Sequence, residues 1–539
     1  MSIRWSGEHE TTIPAALRHA CTMWPHKTFL DFSGSTFTYA DVDRESNQLA
    51  HGLAKLGVSP GDRICWMLPN VIEAIFVWFA INKLGAVSVP INTDLRGEYL
   101  RHQVANAGAA IVVVDADYAD RIMEIADDLP ELRTVLCKGS LHVEGRGLQV
   151  QSLAATRSSN TNPIEYEPEP ADLAVLMYTS GTTGPSKGCM VSHNYACNFG
   201  ARDAWAVALR HDDIHWTPCP LFHAAAAFGV VLGTLMTGAT ASIYPRFSLS
   251  SFWDEIERSR ATVVFMLSIM LSLVPSAADS DASKRCYAQI RTLYGGPLGS
   301  ALRARWKERF GVKYAAPAGY GLTEVCFATL CRVETSDIPD NASGRRFDDF
   351  DVRIIDDNGN ECPVNVPGEI IVRPHKPNIM FQGYWRQPEA TLAAMRDLWF
   401  HTGDLWKFDA DDYFYFVDRK KDYLRRGGEN ISSFEVEATF AAHPAIAEVA
   451  AHSVLSDISE DELKVTLVLK LNAKLEPEVL CQWSIDRLPR FAVPRYIEFR
   501  RQLPKTATGR VQKELLRSQG VTLETWDRKM SKLDFGTKT

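Results

Sequence analysis

The sequence predicts an α/β protein built from more than one domain. Its 539 residues are too many for a single hydrophobic core, because cores stop growing at roughly 250–300 residues and longer chains divide. In the N-terminal half, segments with helical periodicity alternate with short apolar segments typical of strands. Such alternation indicates a parallel sheet with helices on its faces. The charged fraction of 23% and the hydrophobic fraction of 46% are ordinary for a globular protein.

The first elements follow from periodicity and turn residues. An N-terminal helix and a hairpin are predicted within residues 11–38, and an amphipathic helix within 39–56. A turn rich in Gly and Pro at 57–62 then leads into the first buried strand. The alternation continues with strand 63–68, helix 71–84, strand 86–90, helix 97–105 and strand 110–114.

Composition and charge disfavour several partners and locations. The net charge of −8 leaves no basic surface for nucleic acid or an anionic membrane. Eleven cysteines without a C-x-x-C pair indicate reduced thiols, and residues 1–27 lack the apolar core of a signal peptide. The run 221–243 is long enough to cross a bilayer, but it lies between motifs that must share one compartment, so we interpret it as a buried helix. We therefore expect a cytoplasmic protein with no nucleic-acid partner and no membrane span.

A loop rich in hydroxyl groups follows the apolar segment 173–177. It reads YTSGTTGPSKG over residues 178–188. Its glycines allow backbone N–H groups to approach an anion, its hydroxyls can donate, and Lys187 adds a mobile positive charge. The spacing differs from the ordinary P-loop, since Gly188 stands where a hydroxyl residue would follow the lysine. We interpret the loop as phosphate-binding, with a plain flexible connection as the alternative for the loop alone.

Four further stretches carry residues suited to chemistry. They read GYGLTE at 319–324, WFHTGD at 399–404, DRKKD at 418–422 followed by RRGGEN at 425–430, and PKTATGRVQK at 504–513. The first presents an aromatic ring, a hydroxyl and a carboxylate on tight backbone. Each stretch taken alone is also compatible with a turn or a solvated charged surface. Their order along one chain makes coincidence a poor explanation.

Together, the five stretches resemble the adenylate-forming, or AMP-binding, superfamily in its acyl- and aryl-CoA synthetase branch. The resemblance extends from about residue 10 to about residue 517. It implies a large N-terminal domain of helix-covered β-sheets at 1–420 and a small mobile C-terminal α+β domain at 421–539, with a hinge near Lys421. The implied activity is that of an acid–thiol ligase. A carboxylate attacks ATP to give acyl-AMP and pyrophosphate, and the thiol of coenzyme A then displaces AMP.

The resemblance also implies roles in nucleotide binding. Tyr320 would stack on adenine, Thr323 would contact the α-phosphate, and Asp404 would accept the ribose hydroxyls. Glu324 would hold Mg²⁺, a hard ion that prefers oxygen ligands. The complete nucleotide-binding set is Thr179, Ser180, Gly181, Thr182, Thr183, Lys187, Gly296, Tyr320, Thr323, Asp404 and Arg419.

Further positions are implied for coenzyme A and the acyl group. His223 matches a gate to the pantetheine tunnel, Gly428 lets pantetheine pass close to the backbone, and Arg495 would meet a CoA phosphate. The acyl pocket is predicted to be roomy and apolar, which favours a ring-bearing acid over a short chain. Its predicted lining is Ala224, Ala225, Phe228 and Gly319. Close helix packing is the alternative explanation for the small residues.

The resemblance breaks at Arg510. The superfamily places a lysine there, which bridges the substrate carboxylate and the α-phosphate during adenylation. Arginine spreads its charge over a planar fork and is not equivalent to a compact ammonium, and losing one such charge typically costs ~10²–10³ in rate. The thioester step does not need this lysine. We therefore predict competence mainly in the second half-reaction, with Lys505 and Lys513 as candidates to replace the lysine and with His223, Glu324 and Arg510 as the catalytic residues.

Three alternatives remain at the level of sequence. The first is a complete ATP-dependent acyl-CoA synthetase, the second is an adenylation enzyme that loads a separate carrier protein, and the third is a non-catalytic binding protein. The retained phosphate loop, Glu324 and Asp404 argue against the third. The predicted ligands are ATP or acyl-AMP, Mg²⁺, coenzyme A and a carboxylic acid. A separate adenylating enzyme and a second copy of the chain are the protein partners considered.

Overall fold

A computed structural model describes most of the chain. The described residues are 10–140, 147–179, 185–296, 298–335, 337–419, 423–426, 429–455, 461–505, 511 and 513–531. The boundary predicted between 420 and 421 falls outside these ranges and stays a prediction.

The α-helices begin at recognisable caps; Thr38 and Asp41, for example, form a capping box at the start of the second helix. In chain order they are α1 (Ile13–Met23), α2 (Tyr39–Lys55), α3 (Ile72–Lys83), α4 (Gly97–Ala107), α5 (Ala119–Ile125), α6 (Leu153–Thr156), α7 (His193–Ala206), α8 (Gly233–Thr237), α9 (Phe252–Ser259), α10 (Ser268–Leu273), α11 (Asp281–Arg285), α12 (Ser300–Phe310), α13 (Pro388–Ala394), α14 (Ser433–Ala441), α15 (Pro477–Ile485) and α16 (Lys513–Gln519). A π-helix spans Ala225–Leu232. Short 3₁₀ turns lie at Ala116–Tyr118, Ala126–Asp128, Val274–Ser276, Arg490–Ala492 and Arg528–Met530.

The strands fall into five sheets. In chain order they are β1 (Thr28–Phe32), β2 (Ser35–Thr38), β3 (Arg63–Met67), β4 (Val87–Pro90), β5 (Ile111–Asp115), β6 (Thr134–Lys138), β7 (Gln149–Ser152), β8 (Leu173–Thr179), β9 (Lys187–Ser192), β10 (Ile214–Thr217), β11 (Thr240–Ile243), β12 (Val263–Phe265), β13 (Thr292–Gly295), β14 (Tyr314–Pro317), β15 (Gly319–Tyr320), β16 (Thr329–Leu330), β17 (Ala342–Arg346), β18 (Phe350–Ile355), β19 (Gly368–Pro374), β20 (Met395–Arg396), β21 (Trp399–Phe408), β22 (Tyr413–Arg419), β23 (Tyr423–Arg426), β24 (Glu429–Ser432), β25 (Ile446–Leu455), β26 (Asp461–Leu469), β27 (Tyr496–Phe499) and β28 (Trp526–Asp527).

Two seven-stranded sheets form the body of the N-terminal region. Sheet A has the strand order β14-β13-β12-β10-β11-β1-β2, and sheet B has the order β7-β6-β5-β3-β4-β8-β9. Neighbours are parallel in both sheets except at one edge, where the hairpins β1/β2 and β8/β9 are antiparallel. The prediction of parallel, helix-covered sheets is therefore confirmed, with an antiparallel hairpin closing each sheet.

Helices fill the space between the two sheets and cover their outer faces. Helix α3 is apolar all round and lies in the shared core, where Ala74 to Lys83 are all buried. Side chains alternate along the strands as pleating requires. In β13, Tyr294 points into the shared core and Leu293 into the core beneath the outer helices. The sequence thus builds layers of helix and sheet around one central helical layer.

The last part of the chain has a different architecture. Sheet C is antiparallel, with the order β15-β16-β17-β22-β21-β19-β18 and β20 paired to β21. A hairpin of β23 and β24 and the four-stranded sheet β25-β26-β27-β28 follow, and they share a separate hydrophobic core with α14 and α15. The fold class of a large α/β region and a small α+β region is confirmed.

The apolar run 221–243 differs from its prediction as one buried helix. It contains the π-helix, the short helix α8 and strand β11 of sheet A. The sequence pattern could not separate these elements because all are apolar and buried. Among the described residues, no helix has the length and apolar character needed to cross a bilayer.

Candidate active site

The phosphate loop is the connection between β8 and β9. Thr179 ends β8 and pairs with Lys187, the first residue of β9, so the antiparallel ladder brings the two ends of the loop together. The predicted phosphate ligands Ser180, Gly181, Thr182 and Thr183 lie outside the described residues. The ladder nevertheless fixes where the loop leaves and rejoins sheet B.

Tyr384 connects the phosphate loop with the predicted metal ligand. Its hydroxyl donates to Glu324 Oε1 over 2.8 Å, and Lys187 Nζ lies 4.4 Å from the centroid of its ring. Backbone hydrogen bonds from the segment at Gly383 and Trp385 to β9 hold Tyr384 in this place. Tyr384 was not predicted as a site residue, because no spacing pattern singles it out among the aromatic residues.

The residues predicted to bind adenosine also contact each other. The Tyr320 hydroxyl donates to Asp404 Oδ2 over 2.7 Å, and the Tyr320 ring packs against Trp406 with 4.4 Å between ring centroids. Asp404 is buried and faces Arg419 across the β21/β22 ladder; only the backbone of Arg419 is described. The structure thus brings Tyr320, predicted to bind adenine, next to Asp404, predicted to bind ribose, with the backbone of Arg419 opposite Asp404 in sheet C.

Three further predicted residues have described surroundings. The Thr323 carbonyl accepts a hydrogen bond of 2.9 Å from the Tyr195 hydroxyl. Gly296 directly follows β13, and a Cβ on it would meet no described atom within 4 Å. Gly319 begins β15 with φ +123°, and a Cβ there would lie 2.4 Å from the Thr329 carbonyl oxygen. Glycine is therefore required at 319 by both conformation and space.

His223 lies where the two parts of the chain meet. Its Nε2 is 2.9 Å from Glu429 Oε1, and Glu429 begins β24 beyond the predicted hinge. The His223 side chain is 40% exposed and that of Glu429 is 21% exposed. The predicted gate residue therefore contacts the C-terminal region directly. The predicted tunnel glycine, Gly428, lies outside the described residues.

The predicted acyl residues lead inward from His223. Ala224 and Ala225 are half-buried, whereas Phe228 is fully buried and packs against Phe199. The helix from Ala225 onward is a π-helix, a rare form that is common at functional sites. These residues form one continuous wall from the junction into the shared core.

A second contact between the two parts involves α14. Burial raises the pKa of Glu435 to about 7, and a hydrogen bond from the Ser186 backbone N–H acts against this rise. Tyr99 of α4 packs against the hydrophobic clusters on both sides of the junction. The C-terminal region is therefore seated directly against the end of the phosphate loop.

The remaining predicted residues are engaged within the C-terminal region or lie outside the description. Arg495 is ion-paired with Glu462 (3.3 Å) and Asp527 (3.1 Å). Its contact with a CoA phosphate stays a prediction. Lys421 and Arg510 are outside the described residues.

The metal prediction rests on one carboxylate. No group of three or more metal-ligating side chains is found in the described ranges. A single glutamate fits Mg²⁺ in a nucleotide site, since this ion is usually held by one or two carboxylates together with substrate phosphates. Glu324 is buried next to the start of β9 and suits that arrangement.

Comparisons with known proteins identify relatives of this chain. The family model described as AMP-binding enzyme matches residues 17–385, and the model of its C-terminal domain matches residues 435–510. A crotonobetaine/carnitine–CoA ligase of Salmonella paratyphi B is 30% identical, with 89% of this chain and 93% of that protein covered.

Two solved structures are also similar. One is o-succinylbenzoate CoA synthetase from Bacillus subtilis bound with its product analogue OSB-NCoA; its TM-score is 0.80 at 25% identity, covering 94% of this chain and 99% of that chain. The other is the anthranilate CoA ligase AuaEII in complex with anthranoyl-AMP; its TM-score is 0.70 at 26% identity, covering 95% and 98%. The resemblance seen in the five sequence stretches is confirmed, and the chain belongs to the family of AMP-binding enzymes.

Proposed function

We propose that the chain is an acyl-CoA ligase whose main competence is the second half-reaction, in which acyl-AMP and coenzyme A give acyl-CoA and AMP. The relatives described above are CoA ligases by name, which supports the thioester product. The observation that carries the proposal is the contact of 2.9 Å between His223 and Glu429. It joins the predicted gate residue to the strand that begins at Glu429, which supports an entrance for coenzyme A beside His223.

In this proposal each group of residues has a separate task. Tyr320 and Asp404 hold the adenosine of the adenylate, while Thr323 and Lys187 face its phosphate. Glu324 would hold Mg²⁺, which would neutralise phosphate charge when ATP is bound. The CoA thiol enters beside His223 and attacks the acyl carbonyl carbon. A carbon–sulfur bond forms, the bond from the acyl carbon to the phosphate oxygen of AMP breaks, and the thiol proton is released to solvent.

The first half-reaction is weakened because no described lysine takes the place of Arg510. Lys513 Nζ lies 2.7 Å from Glu437 Oε1 and 2.8 Å from Ser433 Oγ. Lys505 is paired with Glu448 over 2.7 Å. All these partners lie beyond the predicted hinge, so rotation of the small domain would carry each pair along intact. Both candidate lysines are thus engaged by carboxylates of the small domain, which supports a weakened first half-reaction.

The test compares two starting points for thioester formation. Wild type should convert acyl-AMP and CoA efficiently but should form acyl-CoA from acid, ATP and CoA slowly, with a ratio of rates on the order of 10² or more. Arg510→Lys should raise the ATP-dependent rate and leave the acyl-AMP-dependent rate nearly unchanged. Arg501→Lys, the same exchange at an exposed site, is the matched control and should change neither.

Two outcomes would contradict this division of labour. Comparable wild-type rates from both starting points would identify a complete ligase. Transfer of the acyl group to a phosphopantetheinyl carrier protein, without transfer to CoA, would identify a carrier-loading enzyme. If the main proposal holds, a separate adenylating enzyme must supply the acyl-AMP.

A further inference from the structure

A buried polar cluster lies deep behind the predicted acyl wall. The Tyr294 hydroxyl donates to Asp203 Oδ2 over 2.7 Å and lies 3.1 Å from His215 Nε2. Asp203 is 4% exposed and His215 is fully buried. Burial raises the pKa of Asp203 to about 7 and lowers that of His215 to about 3, so the imidazole is neutral. None of the three residues has a part in the proposed reaction.

The cluster lacks partners for two of its acceptor atoms. Tyr294 has one hydroxyl proton and gives it to Asp203, so the hydroxyl oxygen must accept from the Nε2–H of His215. The other imidazole nitrogen, Nδ1, is then an acceptor, and it is buried without a hydrogen-bond partner. When Asp203 is ionised, its Oδ1 is also an acceptor, and no hydrogen bond from the described residues reaches it, although it is less completely buried than His215 Nδ1. Acceptors without partners in a buried cluster are costly, so a donor from a ligand or from water is expected there.

The cluster faces the acyl wall through a glycine. A Cβ on Gly229 would come within 3.3 Å of Asp203 Cγ, so the missing side chain leaves the carboxylate against the π-helix backbone. Gly229 lies five positions after Ala224, which is at most about 7.5 Å along a helix. That distance suits one aromatic ring with a substituent at its far end. Aromatic side chains pack beside the cluster and the π-helix, with Phe265 against Tyr294 at 4.9 Å and Phe199 against Phe228 at 5.8 Å.

We propose that Asp203, held by Tyr294 and His215, forms the floor of the acyl pocket and selects acids that carry an O–H or N–H donor at the end remote from the carboxyl group. This inference rests on the proposed CoA-ligase function and names the substrate class of its acyl site. The donor would meet the open acceptor of Asp203, while the wall of Ala224, Ala225 and Phe228 would enclose the ring. A hydrocarbon tail of the same size would leave that acceptor unpaired.

The experiment uses matched acyl-adenylates with CoA, so that the adenylation step plays no part. The probes are the 4-hydroxybenzoyl, 4-aminobenzoyl, 4-methylbenzoyl and 4-methoxybenzoyl adenylates, with 4-hydroxycinnamoyl and 4-methylcinnamoyl adenylates for a longer acid. Wild type should prefer the hydroxyl or amino compound over its methyl partner by roughly 10- to 100-fold or more in kcat/KM within at least one pair, because a site built for a donor rejects the analogue that lacks it.

Variants of the floor test the assignment to Asp203. In Asp203→Asn the amide oxygen can still accept a hydrogen bond from the Tyr294 hydroxyl. The amide NH₂, a donor, then stands where Asp203 Oδ1 was an acceptor. The preference should therefore change from the 4-hydroxybenzoyl to the 4-methoxybenzoyl adenylate. Tyr294→Phe should reduce the hydroxyl preference without reversing it. Asp31→Asn is the matched control, since Asp31 is a buried carboxylate in β1, four places from β13 in sheet A, and should leave the preference unchanged.

The outcomes separate this inference from the function on which it rests. If no probe yields acyl-CoA in wild type, the proposed function fails. If thioesters form but hydroxyl and methyl partners react equally, the polar floor is satisfied by water and the inference is wrong. Preference for a trimethylammonium-bearing acid over the hydroxyl compound would also contradict it, since that group carries charge without a donor.

Discussion

At the scale of single residues, Tyr320 couples two parts of the proposed nucleotide site. It comes from the GYGLTE stretch and Asp404 from the WFHTGD stretch, 84 positions apart, and one hydrogen bond of 2.7 Å joins them. The aromatic ring and the carboxylate are thus fixed relative to each other before any ligand arrives. Such preorganisation reduces the ordering cost of binding.

Tyr320→Phe should weaken binding of an acyl-adenylate by about tenfold, because Asp404 loses the donor that orients it. The dissociation constant of a non-hydrolysable acyl-AMP analogue measures this effect. Tyr39→Phe is the control, since the buried Tyr39 hydroxyl donates to the carbonyls of Thr234 and Ala239 far from the site. Both variants should lower the free energy of unfolding by about 1–2 kcal/mol. An unchanged affinity in Tyr320→Phe would remove Tyr320 from the nucleotide site.

At the scale of elements, helix α14 is seated against the end of the phosphate loop. Its Glu435 is largely buried and has a pKa raised to about 7. A carboxyl whose pKa is raised by an interface favours that interface when protonated. The stabilisation is fully present below the ordinary glutamate pKa and is lost as pH rises through about 7.

Glu435→Gln should remove this pH dependence, since glutamine mimics the protonated form. The ratio of wild-type to variant rate for acyl-AMP and CoA should fall as pH rises from about 6 to 8, and taking the ratio cancels the ionisation of the CoA thiol. Glu448→Gln, on β25 in an exposed pair with Lys505, is the control and should give a flat ratio. A flat ratio for Glu435→Gln as well would show that the junction does not depend on this proton.

The elements also show how far sequence reasoning reaches. The parallel, helix-covered character of sheets A and B was predicted, because each buried strand is a short apolar run between segments with helical periodicity. Sheet C was not, since β17 pairs with β22 and β19 with β21 across long stretches that no local pattern connects. In the site, Tyr320, Asp404 and Glu324 were found through motifs. Tyr384 and Glu429 were not assigned roles, because their importance lies in contacts formed only after folding.

At the scale of the whole molecule, local charge at the entrance opposes the net charge. The chain carries −8 overall, yet Asp94 near the His223 entrance is surrounded by Arg96, Arg121 and Arg490, with Glu429 also nearby. These arginines come from both parts of the chain. A local positive potential can attract a polyanion such as coenzyme A even when the whole protein is negative.

Arg490→Gln should raise the KM for CoA by about tenfold with a smaller effect on kcat, since one charge-assisted contact is lost. The wild-type KM for CoA should rise with salt, because exposed charges are screened, and the variant should show a weaker salt dependence. Arg133→Gln on an exposed loop is the control and should behave like wild type. An identical salt dependence in wild type and Arg490→Gln would contradict a role for this cluster.

The π-helix would give the proposed acyl pocket an adjustable depth. A π-helix holds more residues in each turn than an α-helix, and here it begins two residues after His223 and includes Gly229, which packs against Asp203 at the proposed floor. Deleting Ala226 would allow the segment to return to α-helical pitch and would turn Gly229 away from Asp203. The distance between the proposed entrance and floor thus depends on the register of one helix. Inserting or deleting a single residue in this segment would change the length of the acid accepted, without altering any residue proposed to bind the nucleotide.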